Sequence, residues 1–338
     1  MFAQLPFEIV EHIVEYLDFK DVGSIARVCS AFRLPAQLRL FRTIRIASNA
    51  YNTYPKSNES ILSSLYLLQY SSHLLVSCIG SMQQTSIHSL WSHLPTMYRL
   101  RNLEISLEPN DCSRALSALE RLGSVKEIAL NLGLSLAPDL LMSDNPLPVH
   151  SLRLHVVAST HQVATRLVQK CSQSLRKLSL FLKDKTTPPL PFLPHLCEFS
   201  LQISLLLVDK DPDLKSWFPF LYQHPTITHI SLDPSFTLAV QPPPYLLPNL
   251  QSLEAPPAII ERLIPGRPVN RITAEYFFQT TDRFPGDILL RPLRQPVVSV
   301  TNFAIKTNID FSNDILINIV QTLPKLRKFS CDWHCYEV

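Results

Sequence analysis

The chain of 338 residues contains little glycine, little charge and no long hydrophobic run. Six glycines stand against 28 prolines, whereas phosphate-binding loops and nucleotide-binding folds need glycine where the backbone approaches a ligand. Only 17% of the residues are charged and the formal net charge is +3, which gives no reason to expect nucleic acid as a partner. The longest apolar run, at 205–208, is far too short to span a membrane. Hydrophobic residues still make up 46% of the chain, as in a folded protein.

The seven cysteines are scattered along the chain, and an odd number does not suit a disulfide framework. At the N-terminal end, Glu8, Glu11 and Glu15 interrupt the only apolar stretch, so we expect no secretory signal. Both observations favour a reducing compartment. We therefore expect the protein in the cytoplasm, the nucleus or both.

The N-terminal residues predict a small helical module. Apolar residues recur every four positions at Leu5, Ile9, Ile13 and Leu17. Pro6 suits the first turn of a helix, where its missing N–H would have no partner. A second helix is predicted to begin near Asp18 or Asp21 and to run to Phe32, and a third, basic helix is predicted over about 34–41.

The specific residues of this module resemble an F-box. The matching positions are Leu5-Pro6, Glu8-Ile9, Ile13, Leu17, Asp21-Val22, Val28-Cys29 and Phe32-Arg33. The resemblance implies an F-box over residues 1–42 that docks on a Skp-type adaptor, which links it to a cullin. The positions that it places in or beneath the docking face are Leu5, Pro6, Ile9, Ile13, Leu17, Val22 and Val28. Some of these side chains must form the module's own core, and the sequence alone does not divide the two sets.

A second pattern, apolar-x-x-apolar-x-apolar, recurs after the helices. Its clearest copies are Leu100-Leu103-Ile105, Val125-Ile128-Leu130, Val149-Leu152-Leu154, Leu175-Leu178-Leu180, Leu196-Phe199-Leu201, Ile227-Ile230-Leu232, Leu250-Leu253-Ala255, Val269-Ile272-Ala274 and Leu326-Phe329-Cys331. Phe41-Ile44-Ile46 is a first copy, and degraded copies are predicted near Cys78 to Met82 and near Val297-Val300. The average spacing of about 25 residues is typical of leucine-rich repeats.

Prolines and amphipathic stretches between the copies predict a unit of strand, turn and helix. We call the apolar positions of this pattern its anchors. The prolines that stand four or five residues before an anchor are Pro148, Pro194, Pro225, Pro248, Pro268, Pro296 and Pro324. Helices are predicted from Ser86 to Met97, Asp111 to Leu122, His161 to Cys171, Leu214 to Tyr222 and Ser312 to Leu323. Such short strands must stack on their neighbours. We predict an α/β fold: the F-box, then over residues 43–338 a leucine-rich-repeat solenoid with a curved, mainly parallel sheet. The alternative is a doubly wound α/β domain, which the short period and the lack of a glycine-rich loop disfavour.

The whole pattern resembles the leucine-rich-repeat class of F-box proteins. The resemblance implies a substrate-recruiting subunit of an SCF-type ubiquitin ligase, which holds an unidentified target protein on the outward side chains of its strands. The outward positions are Glu104, Arg153, His155, Lys177, Phe181, Gln202, Asp233, Glu254, Glu275 and Asp332, with Phe181 and Trp333 as aromatic anchors. A shift of one residue in the register of a strand would turn its inward side chains outward and its outward side chains inward. The alternatives are a repeat scaffold without a ligase role and, as a third class, an α/β enzyme.

No group of residues predicts an active site, and we expect neither catalysis nor a cofactor. Cys331-Asp332-Trp333-His334-Cys335 brings together two cysteines and a histidine, fewer than the four ligands of a structural zinc site. Cys171 is better explained as a small core residue than as a nucleophile. A modest basic patch comprises Arg33, Arg39, Arg42 and Arg45, and it is interpreted as a solvated face or as a contact for phosphate or an acidic partner.

Overall fold

The computed structural model describes residues 5–49, 65–79, 90–106, 115–131, 145–184, 187–204, 212–276, 293, 300–307 and 313–333. The helices are α1 Phe7–Tyr16, α2 Phe19–Val28, α3 Ser30–Leu40, α4 His161–Cys171, α5 Phe218–Gln223, α6 Pro257–Leu263 and α7 Asn313–Thr322. The strands are β1 Thr43–Asn49, β2 His73–Ile79, β3 Asn102–Ser106, β4 Glu127–Asn131, β5 Ser151–Val156, β6 Lys177–Leu182, β7 Glu198–Ile203, β8 His229–Leu232, β9 Ser252–Ala255, β10 Arg271–Tyr276, β11 Asn302–Thr307 and β12 Lys328–Trp333. No helix within these ranges is long and apolar enough to cross a membrane.

The chain divides into two compact units, residues 1–152 and 153–338, and the division falls within β5. The first unit contains helices α1 to α3 and strands β1 to β4. The second contains strands β6 to β12 and helices α4 to α7. The strands follow one another in sequence order, and the paired strands are parallel in both units. The predicted fold class, three helices followed by an α/β array with a parallel sheet, is confirmed.

The three N-terminal helices begin and end close to the predicted positions, with one exception. Pro6 occupies the N-cap of α1 and Asp18 that of α2, although the Asp18 side chain caps no backbone N–H. The prediction that the second helix runs to Phe32 is wrong. Cys29 has extended backbone angles, φ −151° and ψ 143°, so α2 ends at Val28 and α3 begins at Ser30.

The strand copies from Leu100 to Ala274 bury their apolar anchors, whereas in the last copy Phe329 is 37% exposed. In the copy that contains β6, for example, the anchors Leu175, Leu178 and Leu180 are at most 1% exposed. The hydrogen-bonded register aligns them across strands, so that Leu178 lies beside Phe199 and Phe199 beside Ile230. Alternate residues of each strand therefore enter the core while the residues between them point outward, as a period of two requires.

The two degraded copies lie elsewhere than predicted. The second strand is β2 at His73–Ile79, not Cys78 to Met82, and β11 at Asn302–Thr307 begins after the predicted Val297-Val300. In β2 the first anchor position is occupied by Ser71, which is fully buried and whose hydroxyl donates to the His73 carbonyl at 2.7 Å. Because a serine stands at an apolar position, this copy of the pattern is not recognisable in the sequence.

Short helical segments connect the strands on the core side. Predicted helices are observed at α4 and at α7, although the predicted start of the latter, Ser312, lies outside the described residues. The segment predicted from Leu214 to Tyr222 splits into a 3-10 turn, Leu214–Trp217, and α5. Within the described parts of the segments predicted from Ser86 and Asp111, residues 90–93 and 115–119 are helical, and a 3-10 turn follows the first at Leu94–Thr96.

Two buried polar side chains fix the loops of the second unit. His224 is fully buried; its Nε2 accepts the Leu193 N–H at 2.8 Å, so the ring is neutral and its Nδ1 donates to the Phe220 carbonyl at 2.6 Å. Burial lowers the pKa of His224, which favours this neutral form. Arg267 is 2% exposed and donates to the carbonyls of Leu246, Leu263, Pro265 and Pro243 at 2.6–2.9 Å.

Candidate functional site

The three-helix module has an inner apolar face that forms its own core. Val10 and Val14 of α1 are each 1% exposed and pack with Val22, Phe32 and Ala36. The half-buried side chains that pack against this core are Ile13, Leu17, Ile25, Ala26, Cys29 and Leu40. These contacts account for one face of each helix.

A second set of apolar side chains on the module points to solvent. In α1, Ile9 and Tyr16 are 48% and 80% exposed, and a separation of seven residues at 100° per residue places them on one side of the helix. The further exposed members are Leu5, Phe7, Phe19, Val28 and Leu34. We call these seven residues the outer apolar set. A monomeric domain gains nothing from leaving so many large apolar side chains in water, so the set is typical of a surface that meets a partner.

The structure divides the seven residues that the resemblance assigned to the docking face. Leu5, Pro6, Ile9 and Val28 are exposed, whereas Ile13 and Leu17 are half-buried against the module core. Val22 is fully buried and can support the face only from beneath. Sequence reasoning missed Phe7, Tyr16, Phe19 and Leu34, whose signal was an excess of apolar residues over what a module of three short helices can enclose.

The predicted basic patch is only partly brought together. Arg39 and Arg42 line a pocket of about 880 Å³ together with Arg99 and Arg101, while Arg33 and Arg45 lie outside it. Acidic side chains from α1 enter the same pocket: Glu15 stands 3.9 Å from Arg42. The Arg39 guanidinium donates to the Val14 carbonyl and that of Arg101 to the Ser124 carbonyl at 2.9 Å. Much of the positive charge is therefore engaged within the first unit.

The residues predicted for target contact do lie on outward strand positions of the second unit. Arg153, Lys177 and Gln202 are exposed, and His155 packs on Phe181 with ring centroids 4.7 Å apart. Lys177 is paired with Glu198 at 2.9 Å. Asp233 is used locally, since its carboxylate accepts the N–H and the hydroxyl of Ser235 at 3.0 and 2.7 Å. Trp333 ends β12, and its side chain lies outside the described set.

A charged cluster on three neighbouring strands joins two of the predicted residues. Lys306 of β11 donates to Glu275 of β10 at 2.9 Å and also to Glu254 of β9. Burial raises the pKa of Glu275 to about 7, and the nearby Glu254 carboxylate adds to this effect against the pull of Lys306. Burial would also raise the pKa of Glu254, but the hydrogen bonds with Lys306, Glu275 and Ser231 and the charge of Lys306 outweigh it, so the pKa is lowered. The lysine thus favours the ionised form of Glu254, while Glu275 is about half protonated near pH 7.

Of the cysteines, the structure describes the side chains of Cys29, Cys171, Cys197 and Cys331, and all four are free thiols. Burial raises the pKa of the Cys171 thiol to about 12, so the thiol remains protonated at neutral pH, as expected of a core residue. Cys331 lies on β12, but His334 and Cys335 fall outside the described residues. Among the residues that the structure covers, no three His, Cys, Asp or Glu side chains are grouped to hold a metal ion.

Comparison with models of known protein families identifies the N-terminal module. Residues 2–47 match the family model of the F-box-like domain. These residues include α1, α2, α3 and most of β1. No curated protein matches the chain. The three-helix module, with its enclosed core and its outer apolar set, is therefore an F-box-like domain.

Proposed function

We propose that the chain is the substrate-recruiting subunit of an SCF-type ubiquitin ligase. The F-box-like domain docks on a Skp-type adaptor and through it on a cullin, and the strand array holds a target protein. The chain itself performs no chemistry. It acts by proximity, because it raises the effective concentration of target lysines near the ubiquitin-charged enzyme.

The observation that carries this proposal is the outer apolar set on the F-box-like domain. Leu5, Ile9 and Val28 are 38%, 48% and 75% exposed and occupy positions that the F-box resemblance assigns to the adaptor contact. Burying one aliphatic side chain fully is worth roughly 1.5–3 kcal/mol, so several together can offset the cost of association. Val10, Val14 and Val22 hold the domain together from the opposite side and leave this set available.

The test is co-purification of the full chain with a Skp-type adaptor. The variant Leu5→Ala, Ile9→Ala, Val28→Ala should weaken binding at least tenfold, since a loss of about 1.4 kcal/mol already gives that factor. The matched control is Phe192→Ala, Val240→Ala, Tyr245→Ala, which removes three exposed apolar side chains from the second unit. Thermal unfolding of both variants checks that they fold.

Retained binding by the control and loss by the folded docking variant support the adaptor role. If the intact chain does not bind the adaptor at all, the domain serves some other purpose and the chain is better described as a repeat scaffold for protein interactions. Equal losses in both variants would mean that the outer apolar set is not the docking face.

A further inference from the structure

A row of small hydroxyl side chains crosses the outward face of the second unit. Ser179 of β6 lies in register with Ser200 of β7, and Ser200 with Ser231 of β8. The row continues to Glu254 of β9 and Thr273 of β10. Adjacent strands are about 4.8 Å apart, so the three serines alone extend over roughly 10 Å across the sheet.

Larger side chains stand on both sides of this serine row. On one side the in-register row is Lys177, Glu198, His229, Ser252 and Arg271. On the other side Phe181 lies beside Gln202. Small residues between larger ones make a groove, and a depression of about 410 Å³ is lined by the serines, Arg153, Lys177, His229, Glu254, Arg271 and their neighbours. The groove runs across the strands.

The charges along the groove leave two unpaired cations. Lys177 is neutralised by Glu198 at 2.9 Å, and Glu254 by Lys306. Arg153 at the β5 end and Arg271 at the β10 end have no ion-pair partner in the described part of the chain. The free charge of the groove is therefore positive at both ends.

The floor of the groove can form hydrogen bonds as well. Within the described residues, the hydroxyls of Ser179 and Ser200 are not engaged by any other side chain or carbonyl, and both residues are half-exposed. A hydroxyl can both donate and accept, so this floor suits the backbone and polar side chains of an extended chain. Its lining is mainly polar, and the two apolar residues in it, Phe199 and Ile230, are buried, which does not suit an apolar ligand.

We infer that the serine groove binds an extended, acidic segment of the target protein, with one carboxylate on Arg153 and another on Arg271. The inference rests on the proposed function, because it names the kind of target segment that the strand array recognises. Five strand intervals of about 4.8 Å separate the two arginines, and extended chain advances about 3.4 Å per residue, so the acidic residues stand about seven positions apart. Each arginine stands alone, which suits a carboxylate better than a phosphate dianion that calls for clustered cations.

The experiment uses the full chain and fluorescein-labelled peptides in an anisotropy titration. The probe is a serine- and alanine-rich peptide with two glutamates about seven positions apart. Peptides with glutamine or lysine in place of both glutamates test whether binding needs the negative charge. A peptide with phosphoserine at both positions tests whether the groove prefers a carboxylate or a phosphate. We expect the glutamate peptide to bind, the glutamine and lysine peptides to bind at least several-fold more weakly, and the phosphoserine peptide to bind no more tightly than the glutamate peptide.

Variants locate the binding site. Arg153→Ala with Arg271→Ala should weaken binding of the glutamate peptide roughly three- to tenfold, as expected for the loss of two partly exposed ion pairs. Ser200→Tyr, which fills the groove without changing its charge, should also weaken it. The control Arg176→Ala removes an exposed arginine that does not line the groove and should bind like the wild type.

Adaptor binding is measured in parallel on the same proteins. If the chain binds the adaptor but does not distinguish the glutamate from the glutamine peptide, the inference is overturned while the proposed function stands. It is likewise overturned if Arg176→Ala loses as much affinity for the glutamate peptide as the double arginine variant does. The same holds if the phosphoserine peptide binds far more tightly than the glutamate peptide. If adaptor binding fails and the groove variants still lose the glutamate peptide, the groove is an acidic-peptide site on a protein without the ligase role.

Discussion

At the scale of single residues, buried polar side chains hold loops that have no regular structure of their own. Arg267 follows Gly266, whose φ of +78° favours glycine, and the four carbonyls that it binds belong to residues from 243 to 265. An arginine whose acceptors are backbone carbonyls up to 24 positions away has no local signature. The sequence could therefore predict neither this cluster nor the neutral, buried His224.

We expect Arg267→Met to lower the free energy of unfolding by about 3 kcal/mol or more, because it leaves several buried carbonyls without a donor. Urea unfolding followed by circular dichroism measures the change. Arg262→Met is the control, since this half-exposed arginine makes one long bond, 3.4 Å, to the Ala239 carbonyl. Its loss should stay below about 1 kcal/mol. Equal losses in the two variants would show that the carbonyl cluster contributes little.

The raised pKa of Glu275 predicts a pH dependence with a definite sign. The folded chain keeps this proton up to about pH 7, whereas the unfolded chain releases it near 4.5. Because the folded state binds more protons in this window, stability is highest below it and falls as the pH rises through it. Glu275→Gln should remove this decrease.

The comparison is the urea midpoint at pH 5 and at pH 8 for the wild type, for Glu275→Gln and for Glu104→Gln. The last variant replaces an exposed carboxylate of the first unit and should keep the wild-type pH dependence. An unchanged decrease in Glu275→Gln would mean that a group other than Glu275 is responsible.

At the scale of helices and strands, the regular repeat was predictable because its anchors are apolar and evenly spaced. Strands such as β6 and β7 were predicted in the right register, since one slip would have placed leucines in water. The second strand was misplaced because buried Ser71 interrupts the pattern. The end of α2 was misplaced because the extended Cys29 has no glycine or proline beside it to mark the break.

The candidate docking site, too, could be predicted only in part from the sequence. Its residues could be predicted from the F-box resemblance, but α1 is apolar on two sides. Only the packed helices reveal that Val10 and Val14 face inward and Ile9 outward. The serine groove was not predictable from the sequence, because its serines give no apolar period. They form a row only through the register of the paired strands.

Strand β2 offers a test of why a serine stands at an apolar anchor. Although Ser71→Leu would complete the repeat pattern, we expect it to destabilise the chain by about 1–3 kcal/mol, because it overfills a fully buried site and removes the hydrogen bond to His73. Ser77→Leu on the same strand, at a half-buried position, is the control for added bulk. If a urea titration shows a higher free energy of unfolding for Ser71→Leu than for the wild type, this explanation of the buried serine is wrong.

At the scale of the whole molecule, the two proposed binding surfaces share no residue. The outer apolar set belongs to the first unit and the serine groove to the second. Changes without shared partners are generally additive. A chain carrying both the docking triple variant and Arg153→Ala, Arg271→Ala should therefore lose adaptor and peptide binding by the same factors as the separate variants. A combined loss well beyond the product of the two factors would reveal coupling between the surfaces.

The alternation of inward anchors and outward side chains has a consequence for how such a protein can change. Stability depends on one set of positions and the proposed target binding on the other, and the two sets interleave residue by residue along every strand. Outward residues such as Arg153 or Gln202 can thus be exchanged without disturbing the leucines beneath them. A lineage, or a laboratory library randomised only at the outward positions of β5 to β10, could acquire new binding partners while the core anchors and the F-box-like domain are inherited unchanged.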